Sequence, residues 1–264
     1  VPEELDAAKL TAAAPPGWRI RLVDSTDSTN ADLRAAASTG DLAAGQVLVA
    51  EYQRAGRGRL DRRWESARGA GLTFSLVADP APVPEGRWGW LPLLTGLAIV
   101  DAVRDVAAIG LRVKWPNDVL STDGRKVAGV LSERVDTDGG PLAIVGIGIN
   151  VDAQLDQLPV PTAGSLAVAG AGGVDRSALL AAVVSRFQTR LDAWRACAGD
   201  AESAGLADAY AAASVTLGAN VAVELPGGAV ASGQALRIAA SGELVLRTVD
   251  GELTVAAGDV RELG

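Results

Sequence analysis

Residues 111–150 constrain the fold more than any other stretch of the chain. Leu111-Arg112-Val113-Lys114-Trp115 alternates apolar and polar side chains, the period of a half-buried strand. Pro116-Asn117-Asp118 breaks the run, Val119-Leu120-Ser121 resumes it, and Asp123-Gly124 is a strong hairpin turn. Residues 126–135 read as the return strand, and Asp138-Gly139-Gly140 turns the chain again into a strand over 142–151. Gly129 lies inside the first of these two strands, Gly146 and Gly148 inside the second. Glycine weakens a strand interior, so three on adjacent strands point to close approach by a ligand.

The rest of the chain supplies partners for this block. Residues 1–17 are Ala-rich and end in a Pro15-Pro16-Gly17 turn. A strand is expected over 18–23, then the hydroxyl-rich Ser25-Thr26-Asp27-Ser28-Thr29-Asn30, then a helix over 31–38 with Ser28 or Thr29 as its N-cap. Strands follow over 45–52 and 69–78. Residues 91–108 read as a helix apolar nearly all round, hence buried, with Pro92 in its first turn and Gly110 closing it. An amphipathic helix is expected over 175–195, with Leu180, Val183, Phe187, Leu191 and Trp194 at helical spacing, and a second over 201–213. Cys197 falls beside Trp194 and reads as a packing residue. Beyond Val215 short alternating runs (221–225, 229–238, 243–249, 252–256) are separated by Gly-containing turns, which suggests a small SH3-like barrel.

Composition removes whole classes of chemistry. There is no histidine and only one cysteine. Zinc fingers, His-based metal centres, Ser-His-Asp triads and Cys-His dyads are excluded together. The net charge of -8 argues against general electrostatic binding to nucleic acid or to an anionic membrane. No apolar run reaches the ~18 residues of a membrane span and no secretory signal is visible, so a cytoplasmic protein is the expectation.

Against that acidic background residues 50–64 gather Arg54, Arg57, Arg59, Arg62 and Arg63 around Gly56 and Gly58, ahead of Trp64. Glycine lets backbone approach an anion closely, arginine offers planar forked donors for phosphate or carboxylate, and tryptophan offers a face for a nucleobase. Gly56-Arg57-Gly58 and Gly146-Ile147-Gly148 both lack the third glycine and following helix of a dinucleotide site, and no Gly-Lys-Ser/Thr P-loop is present. A nucleotide would have to be held by side chains and loops.

Five strings then occur in one order: Asp27-Ser28-Thr29-Asn30; Gly56-Arg57-Gly58-Arg59 with Arg62 and Trp64; Lys114-Trp115-Pro116-Asn117-Asp118; Arg125-Lys126-Val127-Ala128-Gly129-Val130-Leu131; and Gly146-Ile147-Gly148-Ile149-Asn150. Together they resemble the biotin protein ligases, of the type without an N-terminal DNA-binding domain. The resemblance implies an α+β catalytic domain over 1–213, a mixed β-sheet flanked by helices like that of class II aminoacyl-tRNA synthetases. The SH3-like β domain then occupies 214–264. It implies an ATP-dependent enzyme that makes biotinyl-5'-AMP and pyrophosphate from biotin and ATP, with Mg²⁺. The biotinyl group is then passed to a lysine of the biotin carboxyl carrier domain of an acetyl-CoA, acyl-CoA or pyruvate carboxylase.

The resemblance also implies roles. Lys126 bridges the biotin carboxylate and the α-phosphate. Arg57, Arg59, Arg62 and Lys114 face the adenylate and its phosphates. Trp64 stacks on adenine and Asn150 bonds its edge. Asp118, with Asn117 beside it, holds Mg²⁺ or orients the adenylate. Ser28, Thr29 and Gln53 pair with the ureido ring, while Gly56, Arg57, Gly129, Val130, Leu131, Gly146 and Gly148 supply backbone contacts and pocket walls. Leu60-Asp61 departs from the family's small or basic loop residues, and Asp61 is a candidate partner for a neighbouring arginine. The arginine loop is expected to be mobile without ligand and to order over the intermediate. Alternatives are a lipoate or other acyl-adenylating ligase of the same superfamily, a non-catalytic biotin or nucleotide module, and a biotin-responsive repressor, the last disfavoured. A monomer or weak homodimer with no nucleic-acid partner is expected.

Overall fold

The computed structural model describes residues 4–59 and 62–263, so Leu60 and Asp61, and the pairing suggested for Asp61, lie outside the described residues. The chain opens with a helix the sequence did not announce, α1 (Ala7–Ala13), capped by the Asp6 carboxylate, which accepts from the amides of Ala8 and Lys9. β1 (Arg19–Thr26) runs three residues past its expected end, pairing Thr26 with Gln53 at the end of β2 (Gln46–Gln53). Between them α2 (Thr29–Ser38) starts two residues early, because Ser28 is its N-cap. β3 (Gly56–Arg57) and β4 (Arg63–Trp64) form a small ladder, and β5 (Gly71–Ala78) follows.

α3 (Trp90–Ala107) is buried on nearly every side, as its sequence requires. It is closed by Ala108, at φ 56, and not by Gly110. The four strands β6 (Leu111–Lys114), β7 (Asp118–Ser121), β8 (Lys126–Thr137) and β9 (Gly140–Asn150) are the hairpin block. α4 (Arg176–Ala196) is capped by Asp175 and ends at Cys197, which is half-buried at the C-cap instead of packed on the apolar face. α5 covers only Leu206–Ala213, because Gly205 at φ 68 interrupts helical backbone just before it.

The large sheet has the order β1-β2-β5-β9-β8-β7-β6, with β1 and β2 parallel and all other neighbours antiparallel. Side chains alternate between its faces. Val49, Phe74, Ile147 and Val130 form one cross-strand row, and all belong to the main core with α3 and α4. The next residues along each strand face the other way, where Leu33 of α2 packs with Leu48, Val77 and Ile144. On that second face two adjacent rows hold three glycines among six residues: Thr73-Gly148-Gly129 and Ser75-Gly146-Leu131. The glycines thus open a trough beside α2, and this trough positions the site.

The C-terminal segment forms β10 (Asn220–Glu224), β11 (Val230–Ile238), β12 (Leu244–Thr248), β13 (Gly251–Val255) and β14 (Asp259–Glu262), in the order β13-β12-β11-β10-β14. The four expected runs are present. The fifth strand, Asp-Val-Arg-Glu, is too short and polar to have stood out. Pairing stops at β13 and β14, so this is an antiparallel sheet without the closure expected of a barrel. It shares the main core through Val221, Val223, Leu244 and Leu246. Trp115 donates its indole N–H to Gly242 O at 3.1 Å, and Trp90 donates to Ala239 O at 3.0 Å. Among the described residues no helix is long and apolar enough to cross a membrane.

Candidate active site

A cavity of about 820 Å³ opens over the glycine trough, within the usual range for small-molecule sites. Every site residue expected from the sequence lines it except Gly56, which lines a neighbouring cavity of about 550 Å³ with Arg57, Arg63 and Glu133. The sheet gathers residues from β5, β7, β8 and β9, and the arginine ladder β3–β4 covers them. Val130 contributes backbone only, since its side chain lies in the core row.

One end of the cavity is polar and buried. Gln53 Oε1 accepts from the Thr29 amide at 2.8 Å and stands 3.0 Å from the Thr29 hydroxyl. That hydroxyl is 2.6 Å from Ser75 Oγ, and Ser75 donates to Asn30 Oδ1 at 2.5 Å. Asn30 Nδ2 donates to Glu133 at 2.7 Å, and Glu133 is paired with Arg34. Ser28 accepts weakly from the Ala31 amide at 3.5 Å. Gly146 explains why this network fits: a β-carbon there would stand 2.3 Å from Asn30 Oδ1.

In the middle of the trough Lys126 Nζ stands 2.6 Å from Asp118 Oδ1. Asp118 is in register with Gly129 on one side and Lys114 on the other. The Trp64 indole covers the trough floor. A β-carbon at Gly148 would fall 2.2 Å from Trp64 Cε2, and one at Gly129 would fall 3.3 Å from Trp64 Cζ3. Lys126 Nζ is 5.9 Å from the Trp64 ring centroid, within cation–π range, and the indole N–H is buried without a partner. The ring therefore lies beside Lys126, over the glycine floor.

The arginines do not form a bare, self-repelling loop. Gly56 pairs with Trp64 and Arg57 with Arg63 across the ladder. Arg54 pairs with Asp27 at 2.8 Å, and Arg62 pairs with Asp259 of β14. Burial lowers the Arg59 guanidinium below its ordinary value, and Arg62 adds to this, while Asp259 and Asp118 raise it. Asn117 donates its amide to Val130 O at 2.8 Å, and Asn150 donates to Gly164 O at 2.8 Å. These bonds pin the Pro-Asn-Asp turn to β8 and the end of β9 to the 162–166 segment. Each leaves the amide oxygen for a ligand. Among the described residues no group of three or more His, Cys, Asp or Glu side chains could hold a metal by itself.

Sequence reasoning missed several participants. Asn30 closes the Asp27-Ser28-Thr29-Asn30 string, but nothing in the sequence assigned it a role. Ser75, like Thr73, is a hydroxyl inside the otherwise apolar run of β5, a signal that was legible. Glu133 and Asp259 gave none, because their partners lie about a hundred or more residues away.

A model of the Biotin/lipoate A/B protein ligase family matches residues 22–152. The biotin--[acetyl-CoA-carboxylase] ligase of Mycobacterium tuberculosis is 38% identical over 251 residues, covering 94% of this chain and 90% of that protein. The chain belongs to the biotin protein ligase family. The bifunctional ligase/repressor BirA of Bacillus spizizenii is 32% identical over 247 residues, covering 92% of this chain and 72% of that protein. Among solved structures of the family, the biotin protein ligase from Aquifex aeolicus in complex with biotin and ATP aligns with a TM-score of 0.76 at 26% identity. That alignment covers 93% of this chain and 99% of that one. The mixed sheet flanked by helices is thus the family's fold.

Proposed function

We propose that this protein joins biotin to ATP to form biotinyl-5'-AMP and pyrophosphate, and then passes the biotinyl group to a lysine of a biotin carboxyl carrier domain. The observation that carries this is the position of Lys126. It stands between a buried polar pocket end and a group of phosphate-suited cations, over a floor made of glycine.

In the first step a biotin carboxylate oxygen attacks the α-phosphorus, a P–O bond forms, and the bond to the β-phosphate breaks with pyrophosphate leaving. The carboxylate is ionised at neutral pH, so no base is needed, in keeping with a chain that has no histidine. The obstacle is the approach of two anions. Lys126 is the cation we assign to both, exchanging its contact with Asp118 for the carboxylate and the α-phosphate oxygens. Arg59, Arg62 and Lys114 are assigned to charge developing on the leaving pyrophosphate. Arg57, Trp64 and Asn150 are assigned to the adenylate, which asks the Trp64 ring to leave the glycine floor.

Mg²⁺ fits as a companion of ATP, since it is usually held by phosphates plus one or two carboxylates, and Asp118 is the protein carboxylate we assign to it. In the second step the carrier lysine amine attacks the acyl carbon and AMP leaves. The acceptor is a biotin-dependent carboxylase in the cytoplasm. Residues 1–213 act as the catalytic unit and 214–264 as the unit that braces the arginine loop through Asp259.

The test is pyrophosphate release from ATP measured with and without biotin. Release that requires biotin is expected. Release without biotin, or with lipoate in its place, would overturn the assignment.

A further inference from the structure

We infer that Glu133, held by Arg34, is a positioning residue that fixes the donor–acceptor polarity of the pocket's closed end, through Asn30, Ser75 and Thr29, and so selects a cyclic urea. The inference rests on the proposed use of biotin and goes beyond it to a residue that does not line the main cavity.

The reasoning follows hydrogen atoms along the chain of contacts. A carboxylate only accepts. Glu133 accepts from Arg34 through one oxygen and from Asn30 Nδ2 at 2.7 Å through the other. Asn30 Nδ2 also reaches Leu131 O at 3.3 Å, so its amino group is committed and its Oδ1 must face Ser75. Ser75 has one hydrogen and gives it to Asn30, leaving its lone pair for the Thr29 hydroxyl 2.6 Å away. Thr29 therefore points its own hydrogen inward, toward Ser75 and Gln53, and shows lone pairs to the cavity.

Gln53 Oε1 is occupied by the Thr29 amide, so the group Gln53 has left is its NH₂. Ser28 accepts from Ala31 and keeps its hydrogen for the cavity. The closed end thus presents two donors, Ser28 and Gln53, and one acceptor, Thr29. A cyclic urea matches this, with a carbonyl for the donors and an N–H for the acceptor. Thr29, Asn30 and Ser75 are buried at 2%, 3% and 0% exposure, so a reversed ligand could not recruit water to correct the mismatch. The Thr29 and Ala31 amides orient Gln53 and Ser28, while the Glu133 carboxylate outside the main cavity sets the direction of the bonds through Asn30 and Ser75 to Thr29.

The test uses Glu133→Gln, which keeps the shape but can donate as well as accept, so Asn30 can turn over and Thr29 can rotate. The probes are biotin and its cyclic carbonate analogue, in which ring oxygens replace both ureido N–H groups. Both are neutral at the head group. The expected result is that Kd and KM for biotin rise about tenfold and kcat changes little, while the carbonate-to-biotin Kd ratio falls by about the same factor. A merely structural defect would weaken both ligands alike and leave the ratio unchanged, which would overturn the inference. Ser75→Ala cuts the same chain without touching the Glu133–Arg34 pair and must lower the ratio too. It decides the matter if Glu133→Gln does not fold. Wild-type protein that shows no biotin-dependent pyrophosphate release defeats the reading of the site itself. Wild-type activity with an unchanged ratio in the variants defeats only the role of Glu133.

Discussion

Replacing Gly146 by alanine should destabilise the protein through one side chain, Asn30. A methyl built there lies 2.3 Å from Asn30 Oδ1, 2.9 Å from its Cγ and 3.1 Å from its Nδ2. Asn30 has no room to yield, since it is 3% exposed and held by Ser75 at 2.5 Å and Glu133 at 2.7 Å. Displacing it breaks one neutral hydrogen bond and one to a charged group, ~3 kcal/mol together. Alanine in a strand interior recovers up to ~1 kcal/mol relative to glycine. The net loss is about 2 kcal/mol. Asn30→Ala alone loses the same bonds and also strands the buried Ser75 hydroxyl, for ~4–5 kcal/mol. In the double variant the clash is gone, so Gly146→Ala should cost nothing further. The cycle should show a coupling of at least ~2 kcal/mol, read as urea midpoints at constant m-value. Additive losses, or a Gly146→Ala protein as stable as wild type, would refute the packing argument.

Two further outcomes follow from buried or strained groups. Glu51 and Arg176 form an ion pair at 2.8 Å with both side chains 5% exposed, and Glu51 also accepts from the Leu5 amide at 3.1 Å. Glu51→Ala should lower unfolding free energy by ~3–5 kcal/mol, whereas Glu51→Leu with Arg176→Met should cost far less, both checked by urea denaturation. Ala108 closes α3 in left-handed backbone, so Ala108→Gly should raise stability by about 0.5–1 kcal/mol, visible as a higher melting temperature.

Much of the site was legible because its parts sit in compact strings. Lys114, Asn117 and Asp118 share one turn, Lys126 and Gly129 one strand, Gly146, Gly148 and Asn150 the next. Hairpin turns fixed the neighbours, so glycines on adjacent strands, and with them close approach by a ligand, followed from pattern, while the trough itself needed the register with β5 and the place of α2. What stayed hidden depends on register and on distant chain. Asn30 meets Glu133 only because α2 lies across β8 and β9. Arg62 meets Asp259 only because a short polar strand near the C-terminus folds back to the arginine loop. The capping of α1 by Asp6 was readable, but its Ala-rich body has too little periodicity to stand out. The position of Trp64 on the glycine floor could not be read from a loop sequence, since it depends on the absence of β-carbons at Gly129 and Gly148.

The central claim is that Lys126 joins a biotin carboxylate to ATP for delivery to a carrier lysine. The most direct measurement incubates the protein with biotin, Mg·ATP and a biotin carboxyl carrier domain and follows the carrier by mass spectrometry. The account predicts one biotinyl group on one lysine with wild-type protein. With Lys126→Ala that rate should fall by ~10²–10³, the scale of removing a donor aimed at developing charge. No labelling by the wild type would contradict the function, and full activity in Lys126→Ala would contradict the mechanism.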